Sequence, residues 1–363
     1  MNWLYIFLGF SLLVLLHEGG HYAAAKATGM RVERFFLFFG PTIWSFRRGE
    51  TEYGIKAIPL GGYVKITGMN PEEEVPPEVE HRSYHRQPVW KRIVVVVAGP
   101  AVNIVLAFAI FTFVFLSAAQ ETTQSVGTIR DGSPAAKALQ PGDEILAVDG
   151  RSYPNLDQSE RSKHFSEQIS THKCAGEQVP DCVAATPVML KVSRDGKVRT
   201  IAVSPEYDKA EKRVLIGFSY GVRDRNLGLG AAAAEATDKI WFITERTASI
   251  FSRIFEEEKR KEISSVVGIS DVANQTIEIG VYPSLLLLAV VSLSLGLINL
   301  LPILPLDGGH IFWALFEKLR GRPASLRVME RATVIGFGLV LLLMAIGLSN
   351  DIGRLNGEGF NVR

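Results

Sequence analysis

The chain has 363 residues, with 39 Lys and Arg against 38 Asp and Glu and a formal net charge of +1. That length is enough for more than one domain, and the balanced charge carries no footprint of a nucleic-acid binder. Apolar residues make up 47% of the chain, but they are bunched, so the average conceals long apolar runs.

Four runs can reach across a bilayer, which takes about 20 helical residues. They are residues 3–27, 93–118, 282–304 and 333–348. The second has no charged residue over 93–120, which argues against a buried helix of a soluble core. The first is interrupted by His17, Glu18 and His21. It lacks a basic start, since Lys26 is its first cation, so it reads as a span rather than a cleaved leader, although Ala23, Ala24 and Ala25 offer a small-residue site.

Lys and Arg near the span ends set the expected orientation. The loop over 26–92 is rich in them, and the loop between the last two spans carries Lys318, Arg320, Arg322, Arg327 and Arg331. Both loops are expected in the cytoplasm, with residues 120–280 and both termini outside. The only two cysteines, Cys174 and Cys182, fall in that outside segment. An oxidising compartment permits a disulfide between them, and a pair of free thiols is the equal alternative.

After the first span, residues 30–68 alternate apolar and polar side chains in places, as in Thr51-Glu52-Tyr53-Gly54-Ile55-Lys56, and Gly61, Gly62 and Gly68 punctuate them. This predicts short antiparallel strands. The run Phe35-Phe36-Leu37-Phe38-Phe39 is too short to span; it fits a strand that dips into the membrane or packs on a soluble core. Residues 70–87 are acidic and proline-bearing, as expected of a solvated loop.

Beyond the second span, Ser133-Pro134-Ala135-Ala136 reads as a helix start with Ser133 as N-cap. Asp195-Gly196 between two alternating runs reads as a hairpin. With Leu139-Gln140-Pro141-Gly142-Asp143 and the strand-like run 144–148, this pattern resembles a PDZ domain over roughly residues 125–222, with Ala138 where that family usually has Gly and the cysteine-bearing stretch as an insertion. PDZ domains bind extended peptides at a sheet edge. Residues 231–263 repeat apolar side chains at helical spacing (Ile240, Ile243, Thr247, Ile250, Phe251, Ile254) and end in mixed charge. They suit an amphipathic helix on the outer membrane face or one packed on the preceding domain.

The chemistry concentrates in His17-Glu18-Gly19-Gly20-His21, an H-E-x-x-H motif. On a helix, positions i and i+4 share a face, so both imidazoles can reach one zinc ion, and the intervening Glu can take a proton from the attacking water and pass it to the leaving amine. The alternative is a pair of helix-end histidines, but ionisable groups inside an apolar span are usually functional. Two glycines are unusual in a helix and suggest close approach of a neighbouring backbone. A catalytic zinc needs a third protein ligand. The best candidate is Asp307, the only acidic residue between Glu278 and Glu317, which follows Asn299-Leu300-Leu301-Pro302-Ile303-Leu304-Pro305 at the end of the third span. The two prolines should break the helix there.

H-E-x-x-H in the first span, followed by Asn299-x-x-Pro302 and Leu306-Asp307-Gly308 near the third, resembles the site-2 protease family of intramembrane metalloproteases. The order of parts resembles bacterial members with one outside PDZ domain. Pro59-Leu60-Gly61-Gly62-Tyr63 and Ala98-Gly99-Pro100-Ala101-Val102-Asn103 also look like family segments, and the likeness covers nearly the whole chain. The chain departs from the family at Leu304, where a second proline is usual and here falls at Pro305, and at Gly19, where a larger apolar residue is common.

The resemblance implies a zinc metalloendopeptidase with His17, His21 and Asp307 as metal ligands, Glu18 as general base and Asn299 holding the substrate backbone or oxyanion. Asn103 is a weaker candidate, able simply to hydrogen-bond a neighbouring helix, and His310 reads either as a group supporting the ligands or, the favoured reading, as an interfacial histidine. The expected fold is a multi-pass α-helical membrane protein of four transmembrane helices, with a membrane-associated β-hairpin region and an extracytoplasmic α+β PDZ domain. Its expected parts are residues 1–29 (first span), 30–92 (β region and loop), 93–119 (second span), 120–223 (PDZ domain), 224–281 (amphipathic helical linker), 282–349 (third and fourth spans) and 350–363 (tail). The implied setting is a bacterial cytoplasmic membrane, and the implied partners are a single-span membrane protein such as an anti-sigma factor, a peptide or substrate ectodomain at the PDZ domain, and the bilayer. The strand-like segment would accept an unwound substrate, and the outside domain would exclude substrates that still carry a bulky ectodomain. A membrane-tethered PDZ adaptor with a dead metal site predicts damage to these motifs, which are intact. A secreted soluble zinc protease conflicts with the later spans, and a transporter with a broken helix does not account for two histidines at i and i+4.

Overall fold

The computed structural model describes residues 2–70, 73–176, 179, 182–208, 213–253, 256, 260 and 263–356. In chain order its elements are α1 (Asn2–Ala27), β1 (Val32–Arg48), β2 (Thr51–Ile66), α2 (Val89–Ala118), β3 (Gln120–Ile129), β4 (Glu144–Val148), α3 (Gln158–Ser170), β5 (Val188–Arg194), β6 (Lys197–Val203), β7 (Glu206–Asp208), β8 (Arg213–Leu215), β9 (Phe218–Asp224), α4 (Leu229–Ser252), α5 (Val266–Ile279), α6 (Val281–Asn299), α7 (Asp307–Arg320) and α8 (Leu326–Leu355). They form two compact units, one of Met1–Val114 with Leu229–Arg363 and one of Phe115–Gly228.

In the first unit, α1, α2, α6 and α8 are long and apolar enough to cross a membrane. Their outward side chains are apolar and bare, as at Trp3 (66% exposed) and Val334 (73%), a surface that water would not tolerate over such length. α6 stops at Asn299, short of the expected residue 304. Pro302 and Pro305 lack the N–H groups that would continue the ladder, so residues 300–306 form a turn-rich link to α7. α8 outruns the expected 333–348 at both ends. Small residues set the helix contacts: a Cβ on Gly20 would lie 2.5 Å from the Ala98 carbonyl oxygen, and one on Gly296 would lie 3.0 Å from that of Pro100.

β1 and β2 form more than a simple hairpin. Phe35 pairs with Tyr53 on one side and with Val64 on the other, and Trp44 pairs with Ile55. Each long strand therefore folds back on itself, and the lateral order of segments is 42–48, 51–56, 32–37, 62–66. The last segment forms an edge with no further strand beside it among the described residues. The following loop is less solvated than expected from its composition. Its described part holds two short 3-10 turns, Glu80–Arg82 and Tyr84–Arg86. The Tyr84 N–H donates to the Thr67 carbonyl at 2.8 Å, and the Tyr84 side chain joins Ala25, Met30, Val32, Ile66, Val95 and Val96 in one core. The phenol hydroxyl is pushed up to about 12 by that burial.

The expected helix over 231–263 is shorter. α4 ends at Ser252 and a separate α5 follows; Ile254 and most of the charged run 256–261 lie outside the described residues.

The second unit is built on a five-stranded sheet of order β6-β5-β4-β3-β9, with α3 contributing Phe165 and Ile169 to a core of Val126, Ile145, Val148, Val188, Leu190 and Val192. The β5–β6 hairpin turns at Asp195 and Gly196, both with positive φ (52° and 73°), the backbone that Asp-Gly supplies. Arg194 grips the buried Asp143 with two hydrogen bonds of 2.7 Å and holds that carboxyl below its ordinary value. Ser133 stands at the N-cap of a 3-10 turn, Pro134–Lys137, but it makes no side-chain cap. Its hydroxyl donates instead to the Gly217 carbonyl at 3.0 Å. Cys174 and Cys182 form a disulfide.

Candidate metal centre

α1 buries Leu13, Val14, His17, Gly20, His21 and Ala25, a three-to-four-residue rhythm that turns both imidazoles into the helix bundle. α7 begins at Asp307, where the helix N-terminus favours a carboxylate. Two glycines let that helix start close against the link before it: a Cβ on Gly308 would lie 2.2 Å from the Leu300 and Leu301 carbonyl oxygens, and one on Gly309 would lie 2.5 Å from Leu304 N. α8 backs the link in the same manner, through Gly336 against the Leu304 carbonyl.

These elements bring His17, His21 and Asp307 together. Asp307 Oδ2 lies 3.3 Å from His17 Nε2 and 3.3 Å from His21 Nε2, and the two nitrogens are 3.3 Å apart. The histidines are 7% and 9% exposed. His21 Nδ1 sits 2.9 Å from the Val95 carbonyl oxygen. A carbonyl only accepts, so Nδ1 carries the hydrogen and Nε2 of the neutral ring presents a lone pair. Asp307 Oδ2, though buried, has no well-formed hydrogen bond.

The triangle fits zinc. A tetrahedral zinc with bonds of about 2.0–2.1 Å to nitrogen and oxygen holds its ligand atoms about 3.3–3.4 Å apart. Two imidazoles and a carboxylate are a donor set for catalytic zinc, leaving the fourth position for water or substrate. The same three residues are the only set of three or more His, Cys, Asp or Glu side chains among the described residues with donor atoms within 4.8 Å of one another.

Glu18 lies between the two histidines on α1, against the edge segment of the β region: a Cβ on Gly62 would stand 2.9 Å from Glu18 Cγ. Asn299 is the last residue of α6, half-buried, and no hydrogen bond ties it to the three ligands among the described residues. His310 lies one turn along α7 and lines a cavity of about 750 Å³ with Tyr84, His85, Arg92, Trp313 and Glu317. His310 is half-buried there. Two contacts escape sequence reading. The Val95 carbonyl is a backbone group with no residue-type signal. Gly99, whose Cβ would lie 2.2 Å from His21 Nε2, is signalled only by the small residue beside Pro100 in an apolar span.

Of the two expected glycine approaches, Gly20 makes one and Gly19 does not. Nothing stands within 4 Å of a Cβ at Gly19 among the described residues.

Peptidase family M50 matches residues 5–343. Zinc metalloprotease Rip1 of Mycolicibacterium smegmatis is 34% identical, over 89% of this chain and 87% of its own. Regulator of sigma-E protease RseP of Escherichia coli is 30% identical, over 95% of this chain and 96% of its own. A PDZ domain of an SdrC-like protein from Listeria monocytogenes is 22% identical, over 28% of this chain and 88% of its own, with a TM-score of 0.21. The chain belongs to peptidase family M50, the site-2 proteases, and is a zinc metalloprotease.

Proposed function

We propose that this enzyme hydrolyses peptide bonds within the transmembrane segments of single-span membrane proteins. The observation that carries this reading is the 3.3 Å triangle of His17, His21 and Asp307, set on helices long and apolar enough to cross a membrane. His17, His21 and Asp307 hold zinc. When bound, zinc supplies a Lewis acid that makes water nucleophilic near neutral pH. The Glu18 carboxylate takes the proton from the attacking water and delivers it to the leaving amine nitrogen. Asn299, where α6 ends, offers its amide to the substrate backbone or the developing oxyanion.

A transmembrane helix protects its own amides, so the substrate must unwind before it is cut. Residues 62–66 form a strand edge that is unpaired among the described residues, and Gly62 brings that edge against Glu18. An unwound segment that pairs with this edge lies beside the general base. Pairing also satisfies the amides that unwinding exposes.

The Lys and Arg distribution supports a bacterial cytoplasmic membrane, with the 26–92 and 318–331 loops in the cytoplasm and the 120–223 domain and both termini outside. There the sheet edge of β9 suits an extended peptide or a trimmed substrate ectodomain. The relative named as a regulator of sigma-E protease supports an anti-sigma factor as one substrate class, beside remnant signal peptides.

The test is purified full-length protein in detergent, with a generic single-span substrate, as wild type and Glu18→Gln. Zinc in both and cleavage only by the wild type is expected. Cleavage that persists in Glu18→Gln, in protein without zinc, would overturn the proposal.

A further inference from the structure

The two histidines of the site are served unequally. His21 Nδ1 has the Val95 carbonyl of α2 at 2.9 Å. His17 Nδ1 is buried and has no hydrogen-bond partner among the described residues. A metal-binding imidazole nearly always donates its other ring N–H, because that bond fixes the tautomer and the ring plane. His17 therefore lacks the group that His21 has.

Asn103 on α2 is unserved in the same sense. It is 0% exposed, and neither its amide nitrogen nor its amide oxygen has a partner among the described residues. Its backbone carbonyl is engaged, accepting from Ser292 Oγ at 2.9 Å, so the residue is fixed against α6 while its amide is left over. The hydrogen bond to a neighbouring helix that would make Asn103 a bland packing residue is thus made by its backbone. A buried, unpaired amide destabilises a fold, which calls for a role that folding does not supply.

By helical register, the packing of α1 on α2 brings the turn that bears His17 beside the turn that bears Asn103. Gly20 faces the Ala98 carbonyl and Val102, and His21 faces Val95 and Gly99. The helices run antiparallel. One turn back along α1 from His21 is His17, and one turn forward along α2 from Gly99 is Asn103. Gly296 of α6 closes the third side, where a Cβ would lie 3.4 Å from Asn103 Cβ.

We propose that Asn103 is a positioning residue for the metal centre: its amide oxygen receives the Nδ1–H of His17 when that ring binds zinc through Nε2. α2 then orients both imidazoles, His21 through a backbone carbonyl and His17 through a side chain. This inference rests on the zinc metalloprotease reading above.

Two variants of the full-length protein test it. Asn103→Leu keeps the volume and removes the acceptor; Asn103→Asp keeps an acceptor oxygen. Zinc affinity is measured by competition with a chromophoric chelator, the metal-free thermal midpoint is read alongside, and cobalt-loaded protein gives a visible spectrum. Asn103→Leu should bind zinc about 10–100-fold more weakly and shift the cobalt bands, while its metal-free midpoint stays level or rises because a buried unpaired amide is gone. Asn103→Asp should restore zinc affinity and the cobalt spectrum. Wild-type affinity and spectrum in Asn103→Leu would overturn the proposal, as would zinc loss that merely follows a lowered metal-free midpoint. Absence of zinc from the wild type would instead sink the underlying reading.

Discussion

The guanidinium of Arg92, at the start of α2, forks onto the carboxylate of Glu317, near the end of α7, with bonds of 3.0 and 2.6 Å. Asp307 begins that same α7, so the pair anchors one end of the helix whose other end bears the proposed zinc ligand. The Arg92 side chain is 10% exposed and that of Glu317 25%. Glu317→Ala should therefore lower stability by roughly 2–3 kcal/mol, below the full loss for a buried pair because Glu317 reaches water. Thermal unfolding in detergent measures it. The double variant with Arg92→Met should recover part of the loss, since no uncompensated charge then stays buried; no recovery would mean the pair is not the anchor.

Two glycines separate metal binding from catalysis. A methyl on Gly99 would need to occupy the place of the His21 ring, 2.2 Å from Nε2. Gly99→Ala should weaken zinc binding by about 100-fold or more, since the ring of His21, a proposed ligand, must leave its position. A methyl on Gly62 meets Glu18 Cγ at 2.9 Å and the Phe36 carbonyl oxygen at 3.1 Å. Gly62→Ala should keep zinc and lose about 10-fold or more in kcat, because Glu18, the proposed general base, is displaced while the proposed ligands are not. Metal content and turnover, measured on both variants, would show the split; equal effects on zinc would refute it.

Glu50, at the turn between β1 and β2, is clamped by Arg82 through bonds of 2.7 and 2.8 Å and by Lys26 at 2.6 Å. The Arg82 hydrogen bonds, aided by Lys26 and opposed by partial burial, hold its carboxyl down to about 2 from an ordinary 4.5. A depressed folded-state value means stability that is present above pH 4.5 and lost as pH falls towards 2. The wild type should lose roughly 1–2 kcal/mol across that window after solvent screening of a pair near the surface. Glu50→Gln should be less stable at neutral pH and flatter below pH 4.5, as read by thermal midpoints at a series of pH values. An identical acid slope in both proteins would remove Glu50 from the account.

Local periodicity made much of this architecture legible. The four apolar runs give the four long helices, His17 and His21 share a face because they are four residues apart, and Asp195-Gly196 forms its turn. Contacts between distant segments were less so. Pro302 and Pro305 announced that α6 breaks, but only the packing of Gly308, Gly309 and Gly336 explains how Asp307 is aimed. The back-folding of β1 and β2 depends on pairing two segments with one, which alternation alone does not specify. Ser133 looked like a cap, yet its hydroxyl is turned to donate to the Gly217 carbonyl and makes no cap. Tyr84 sits in an acidic, proline-bearing loop whose composition hides its place in the core.

A helix start is capped from across the chain by Asp351. Its Oδ2 accepts from Ser265 N at 2.7 Å, Ser265 Oγ at 2.6 Å and Gly268 N at 2.9 Å. Those donors belong to the first turn of α5, whose free N–H groups and dipole favour an anion. Asp351 itself is 0% exposed, on α8, so the carboxylate ties the two helices at one point. Asp351→Ala leaves buried donors unsatisfied and should destabilise the protein by roughly 2–4 kcal/mol. Asp351→Asn, which keeps an acceptor oxygen without the charge, should lose about 1 kcal/mol. Gly268→Ala should resemble Asp351→Ala, because the new methyl would stand 2.5 Å from Asp351 Oδ1. Amide hydrogen exchange at Ser265 and Gly268 should speed up in the two severe variants and remain slow at Val95 and Val96 of α2. Slow exchange at Ser265 in Asp351→Ala, with an unchanged thermal midpoint, would show that α5 holds its first turn without this carboxylate.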